Sequence, residues 1–164
     1  MNFILIDGSY FIFYRYHALL TWWRHAKPDE SKDSEPTEMP EFMEKFQSTF
    51  TSKLLEIPSK LKLKDETNIM MVAKDCPRST IWRNKYYDKY KATREKTDTI
   101  MVKPFFKDSY DSLFQNAGIE TILSYPELEA DDCIAITVEH ITKTYPDAKV
   151  WVIASDMDYA QLAS

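Results

Sequence analysis

The chain has 164 residues, 44% of them hydrophobic and 29% charged, which is enough apolar material to bury one sizeable core and predicts a single globular domain over residues 1–164. No stretch approaches the roughly 18 apolar residues of a membrane span, and no basic segment precedes the first apolar run, so neither a membrane anchor nor a secretion signal is expected. Two distant cysteines, Cys76 and Cys133, outside any CxxC arrangement, argue against a disulfide framework or a zinc site and fit a reducing, cytoplasmic setting.

The first apolar run, Phe3-Ile4-Leu5-Ile6, is continuous rather than alternating and reads as a strand buried on both faces. A helix follows, with Trp22-Trp23 expected on its apolar side. Residues 27–40 hold three prolines and five acids, with Met39 as their one large apolar residue, the composition of a mobile acidic loop. Over 41–57, Phe42, Phe46, Phe50, Leu54 and Ile57 recur at three- and four-residue steps, predicting a helix that Pro58 stops. Residues 69–73 read as a second buried strand, 104–117 as a helix with Gly118 just past its end, and 119–123 as a third strand. A helix over 128–144 and a strand over 150–154 complete the pattern. Strand alternating with helix predicts an α/β fold with a mostly parallel sheet and helices on both faces.

Carboxylates fall where such a sheet binds ligands, at the carboxyl ends of its strands. Asp7 follows the first strand, Asp75 the second and Asp156 the last, with Asp158 two residues on; Glu129, Asp131 and Asp132 sit at the start of the 128–144 helix. Taken singly, each could be a helix cap or first-turn acid. Gathered together they repel one another unless cations compensate. Hard oxygen donors without His or Cys point to Mg²⁺ or Mn²⁺, and two such ions about 3.5–4 Å apart serve phosphodiester hydrolysis.

The net charge of −5 argues against a nucleic-acid partner only superficially, because residues 78–96 hold seven basic residues against Asp88 and Glu95. Trp82, Tyr86 and Tyr90 lie four apart, as do Arg83, Tyr87 and Lys91, so a helix here presents an aromatic stripe beside a basic one. That combination suits single-stranded nucleic acid, with Arg78, Arg83, Lys85, Tyr87, Tyr90, Lys91 and Arg94 as candidate contacts. An amphipathic helix whose aromatics join the core is the competing reading.

Leu5-Ile6-Asp7-Gly8-Ser9, Leu128-Glu129-Ala130-Asp131-Asp132, and Ala154-Ser155-Asp156-Met157-Asp158 through Gln161-Leu162 resemble, in order and spacing, the motifs of the 5′-nuclease family. That family includes the 5′-nuclease domain of bacterial DNA polymerase I, the phage 5′-exonucleases and the flap endonucleases. The resemblance implies a PIN-like core and a helical arch over 78–96, after the second strand. Within it, Trp82-Arg83, Tyr90-Lys91 and Arg94 match the family's gateway spacing, which places Lys91 and Arg94, with Asp156, at the scissile phosphate. It also implies Mg²⁺-dependent cleavage at the 5′ ends or flaps of DNA, in replication or repair, with RNA primers open as substrates. Relatives usually carry Arg where this chain has Tyr14, with Arg15 one step further on.

The family also continues past its Asp156-like motif into further strands and a helix-hairpin-helix segment. These residues therefore read as a fragment, as a chain completed by another polypeptide segment, or as a domain of reduced activity. Two other readings compete: a PIN-type ribonuclease, which commonly lacks the Tyr-Lys-x-x-Arg gateway, and a structure-specific nucleic-acid binder with little turnover. A haloacid-dehalogenase phosphatase would need a second aspartate where Ser9 stands.

Overall fold

The computed structural model describes residues 1–29, 38–87, 90, 97–155 and 157–163. Four strands, β1 (Asn2–Asp7), β2 (Asn68–Ala73), β3 (Thr121–Leu123) and β4 (Lys149–Ile153), form one sheet in the order β3-β2-β1-β4. Every pairing is parallel, so the fold is α/β with an all-parallel sheet. Phe3, Ile4, Leu5 and Ile6 are 0–5% exposed, which is why the central strand is apolar without alternation.

Register places the functional edge. Asp7 lies opposite Ala73 and Ile6 opposite Ile153, so β1, β2 and β4 end level with one another. From β1 the chain adds β2 and then β3 on one side before it returns to place β4 on the other. A parallel sheet opens a crevice at such a reversal, outside its strand ends, and Asp7 stands there.

The chain divides into two compact units. The first comprises Met1–Phe11, Pro58–Glu95 and Ile119–Ser164 and contains the sheet. Its core joins Phe3, Leu5 and Ala73 to Ala130, Cys133, Ile134, Val138 and Ile141 of a helix over Ala130–Thr144. The second comprises Ile12–Ile57 and Lys96–Gly118 and is built on aromatic rings. Phe105 meets Tyr16, Phe42 and Phe46 with centroids 5.0, 5.6 and 4.8 Å apart.

Several helices differ from their sequence expectation. The first, α1, spans Gly8–Ala26, and of its two tryptophans Trp23 is 2% exposed while Trp22 is 45% exposed; only Trp23 joins the core. Helix α2 (Pro40–Leu55) buries Phe42, Phe46, Phe50 and Leu54 as expected, but Pro58 lies inside a further short helix, α3 (Ile57–Lys60). A proline in a first turn removes an N–H that has no helical partner there, so it is tolerated. Helix α4 begins at Thr97 rather than at Pro104 and passes into a π-helical stretch, Ser109–Leu113, and then a short α5 (Phe114–Asn116). Buried Ser109 closes that wider turn by donating from its hydroxyl to the Phe105 carbonyl at 2.6 Å. Gly118 follows with φ +91° and donates its N–H to Gln115 at 2.9 Å, the expected left-handed stop. Helix α6 is the one over Ala130–Thr144.

The basic segment is the larger departure. Between Arg78 and Lys85 it forms two short 3-10 turns, Arg78–Thr80 and Trp82–Lys85, separated by extended backbone at Ile81. The reason is tertiary: the Trp82 N–H bonds the Glu127 carbonyl at 2.9 Å, which a continuous helix would forbid. Asp88, Lys89 and residues 91–96 lie outside the described residues, as do 30–37 of the acidic loop. Among the described residues no helix is long and apolar enough to cross a membrane.

Candidate metal centre

Glu129, Asp131 and Asp132 open α6, and one carboxylate oxygen from each lies within 4.8 Å of the others. Glu129 is 4% exposed. Acids concentrate there because the helix start offers unpaired N–H groups and a positive dipole end. Asp131 Oδ1 accepts the Asp132 N–H at 2.8 Å, and Asp132 Oδ2 accepts the Glu129 N–H at 3.1 Å. Capping is therefore real, yet it does not exhaust these acids.

Asp75 reaches the same helix end from the loop after β2. Its Oδ1 accepts the Ala130 N–H at 2.7 Å and its Oδ2 accepts the Ser9 hydroxyl at 2.6 Å. Asp7, closing β1, accepts the Tyr10 N–H at 3.3 Å on one oxygen and the Tyr159 hydroxyl at 2.9 Å on the other. Burial holds the Asp7 carboxyl above the usual carboxylate range, and the charge of Asp75 adds to this while the Tyr159 and Tyr10 bonds oppose it. Asp131 is raised likewise, by burial first and then by the charges of Asp132 and Glu129. The Tyr159 phenol is pushed up by burial and by Asp7, Asp131 and Asp75. These acids thus feel one another's charge from three separate chain segments.

Positive charge enters through Arg83. Its Nη1 donates to Glu129 Oε2 at 2.7 Å and to Asp132 Oδ2 at 3.0 Å, and its Nη2 donates to Asp132 Oδ1 at 2.9 Å. Trp82 Nε1 adds a bond to Asp132 Oδ2 at 3.2 Å, and the Tyr90 hydroxyl donates to Glu129 Oε2 at 3.0 Å. For Asp132 burial acts upward, but the Arg83 fork, the Glu129 N–H and Trp82 outweigh it and hold the carboxyl below its ordinary value. Beside these groups is a cleft of about 310 Å³, lined in part by Arg83, Asp131, Asp132, Asp158 and Tyr159.

Of the residues singled out from sequence, Asp7, Asp75, Glu129, Asp131 and Asp132 come together, and exposed Asp158 borders the cleft. Arg83 and Tyr90 join them by gripping the acids. Lys85 instead pairs with Glu127 at 2.8 Å, Arg78 is exposed, and Tyr87 is 70% exposed. Asp156, Lys91 and Arg94 lie outside the described residues. Sequence reasoning missed Ser9, Trp82 and Tyr159 as partners of the acids. Tyr159 stands next to Asp158, but nothing in that spacing announces a bond to a residue 152 positions earlier.

A family model described as "5'-3' exonuclease, N-terminal resolvase-like domain" matches residues 2–164. Among solved structures, the chain is similar to the T5 D15 protein co-crystallized with metal ions, at 20% identity and a TM-score of 0.59, covering 100% of this chain and 52% of that one. It is also similar to a mutant of T5 5′-exonuclease, at 18% identity and a TM-score of 0.57, covering 99% of this chain and 46% of that one. The chain therefore spans about half the length of these structures. No curated protein matches it.

Proposed function

From the premise that the chain belongs to the 5′-3′ exonuclease family, as its N-terminal resolvase-like domain, we propose that it is the catalytic core of a metal-dependent 5′-nuclease cutting DNA at 5′ ends or flaps. One observation carries the reading: Glu129, Asp131 and Asp132 lie within 4.8 Å of one another, beside Asp7 and Asp75 at the carboxyl edge of the sheet. The donor set fits the implied metal, because carboxylate oxygens without His or Cys favour Mg²⁺ or Mn²⁺. Asp156 and Asp158 would complete the ligands for two ions. Bound there, the ions would supply an activated water and charge stabilisation for the leaving oxygen.

The chain's own residues do the positioning. Ser9 and the Ala130 N–H fix Asp75, and Tyr10 and Tyr159 fix Asp7. Carboxylates held by outer hydrogen bonds of this kind meet a cation with little reorganisation. Lys91 and Arg94 would neutralise phosphate charge, and Arg78, Lys85, Tyr87 and Tyr90 would grip and stack the strand. DNA replication or repair at a nucleoid or replication site is the natural setting, and an RNA–DNA hybrid a second substrate. A further polypeptide segment would add duplex contacts.

The test is cleavage of 5′-labelled flap DNA, and of the matching RNA flap, with Mg²⁺, against the Asp131→Asn variant. Mg²⁺-dependent release of short 5′ products, lowered at least about 100-fold by the substitution, is expected on the scale of losing a preorganised electrostatic group. Binding without cleavage would support a structure-specific binder, and preference for the RNA flap a PIN-type ribonuclease.

A further inference from the structure

We infer that Arg83 is a positioning residue whose guanidinium and a divalent cation are alternative occupants of Glu129 and Asp132. The inference rests on the cation-site reading above and adds what holds the acids in the cation's absence. Arg83 places two N–H donors on Asp132 and shares one of them with Glu129, at 2.7–3.0 Å. With these bonds made, Asp132 Oδ2 accepts from Arg83, from Trp82 and from the Glu129 N–H. Glu129 Oε2 accepts from Arg83 and from Tyr90.

A carboxylate oxygen has two lone pairs. Glu129 Oε2 is filled by Arg83 and Tyr90, and the Arg83 fork covers both oxygens of Asp132, so a cation reaches these carboxylates on the side where the guanidinium sits only when Arg83 leaves. Arg83 is the donor whose departure costs least electrostatically, because an arriving cation replaces its charge, whereas neutral Trp82 and Tyr90 leave no charge to replace.

The surroundings permit the exchange. The Arg83 side chain is 24% exposed and borders the 310 Å³ cleft, so it has space and water to enter. It is carried on a four-residue 3-10 turn rather than on a helix or strand. Asp131, whose Oδ1 accepts the Asp132 N–H, borders the same cleft and is the member of the triad placed to meet an arriving cation first. Arg83 then holds Glu129 and Asp132 paired at low cation and leaves them at high cation.

The test measures Mn²⁺ affinity by electron paramagnetic resonance, with no substrate present, for the whole chain, for Arg83→Gln and for Lys85→Gln. Lys85 is the control: it removes an equal charge from the same turn, but its partner is Glu127 rather than the triad. We expect Arg83→Gln to bind Mn²⁺ about tenfold more tightly, within the usual span of linked equilibria, and Lys85→Gln to match the parent. The parent protein gives a second arm that requires no variant. With ¹⁵N-labelled arginine, the Arg83 side-chain resonance should shift as Mg²⁺ saturates the site.

Equal gains in both variants would reduce Arg83 to a through-space charge and overturn the inference. Weaker binding in Arg83→Gln, or an Arg83 resonance unmoved at saturation, would make it a fixed support of the ligands and overturn it too. Mn²⁺ binding in none of the proteins would defeat the cation-site reading itself.

Discussion

Asp7 shows how burial makes one carboxylate costly to the fold. Burial and its acidic neighbour raise its carboxyl in the folded chain, so the folded state binds its proton more tightly than the unfolded state does. The sign follows: ionised Asp7 destabilises the fold above its folded value, and the penalty disappears as pH falls below the unfolded one. Asp7→Asn is expected to unfold about 2–4 °C higher than the parent in metal-free buffer at pH 7, for a gain of roughly 1 kcal/mol, and to converge with it in acid. Thermal melts across pH check this. Asp132 has the opposite sign, since Arg83 lowers it; its contribution is present at neutral pH and lost as pH falls through its folded value. Sequence could locate both aspartates but not tell them apart, because Asp7 is raised by burial and the charge of Asp75 while Asp132 is lowered by Arg83, and these surroundings are remote in the chain.

At the scale of elements, periodicity carried most of the information where neighbours agreed with it. The Phe42, Phe46 and Phe50 stripe is buried as its spacing predicts. Phe105 closes that cluster, and Phe105→Ala is expected to cost about 3–5 kcal/mol, measured by denaturant unfolding. Gly118→Ala meets no atom within 4 Å yet must adopt φ +91°, so its expected cost of about 1 kcal/mol is conformational alone. Periodicity failed over residues 82–87, where aromatic and basic stripes imply a helix. There the Trp82 N–H finds Glu127, and Arg83 and Trp82 find Asp132. Partners distant in sequence outbid the local helical bonds, and no window of a few residues contains them. The positive φ of Glu127, 69°, belongs to the same junction.

For the whole molecule, the acids brought together all belong to the unit that contains the sheet, while the aromatic cluster belongs to the other. Binding to the native state alone stabilises by mass action, about 2.7 kcal/mol at a ligand concentration of 100 Kd. Hydrogen exchange with and without Mn²⁺ should therefore show added protection at the end of β1, in the loop holding Asp75 and in the first turn of α6. The amides of α2 should change less. The order of strands and helices, the acids that follow β1 and β2 and the family motifs were legible in the sequence alone, because they depend on local apolar pattern and short spacings. Which acids are gripped, by what and with which shift was decided only by the tertiary structure. Hydrogen bonds and Coulomb forces act through space, and the fold brings Tyr159 to Asp7, Ser9 to Asp75 and Arg83 to Glu129 and Asp132.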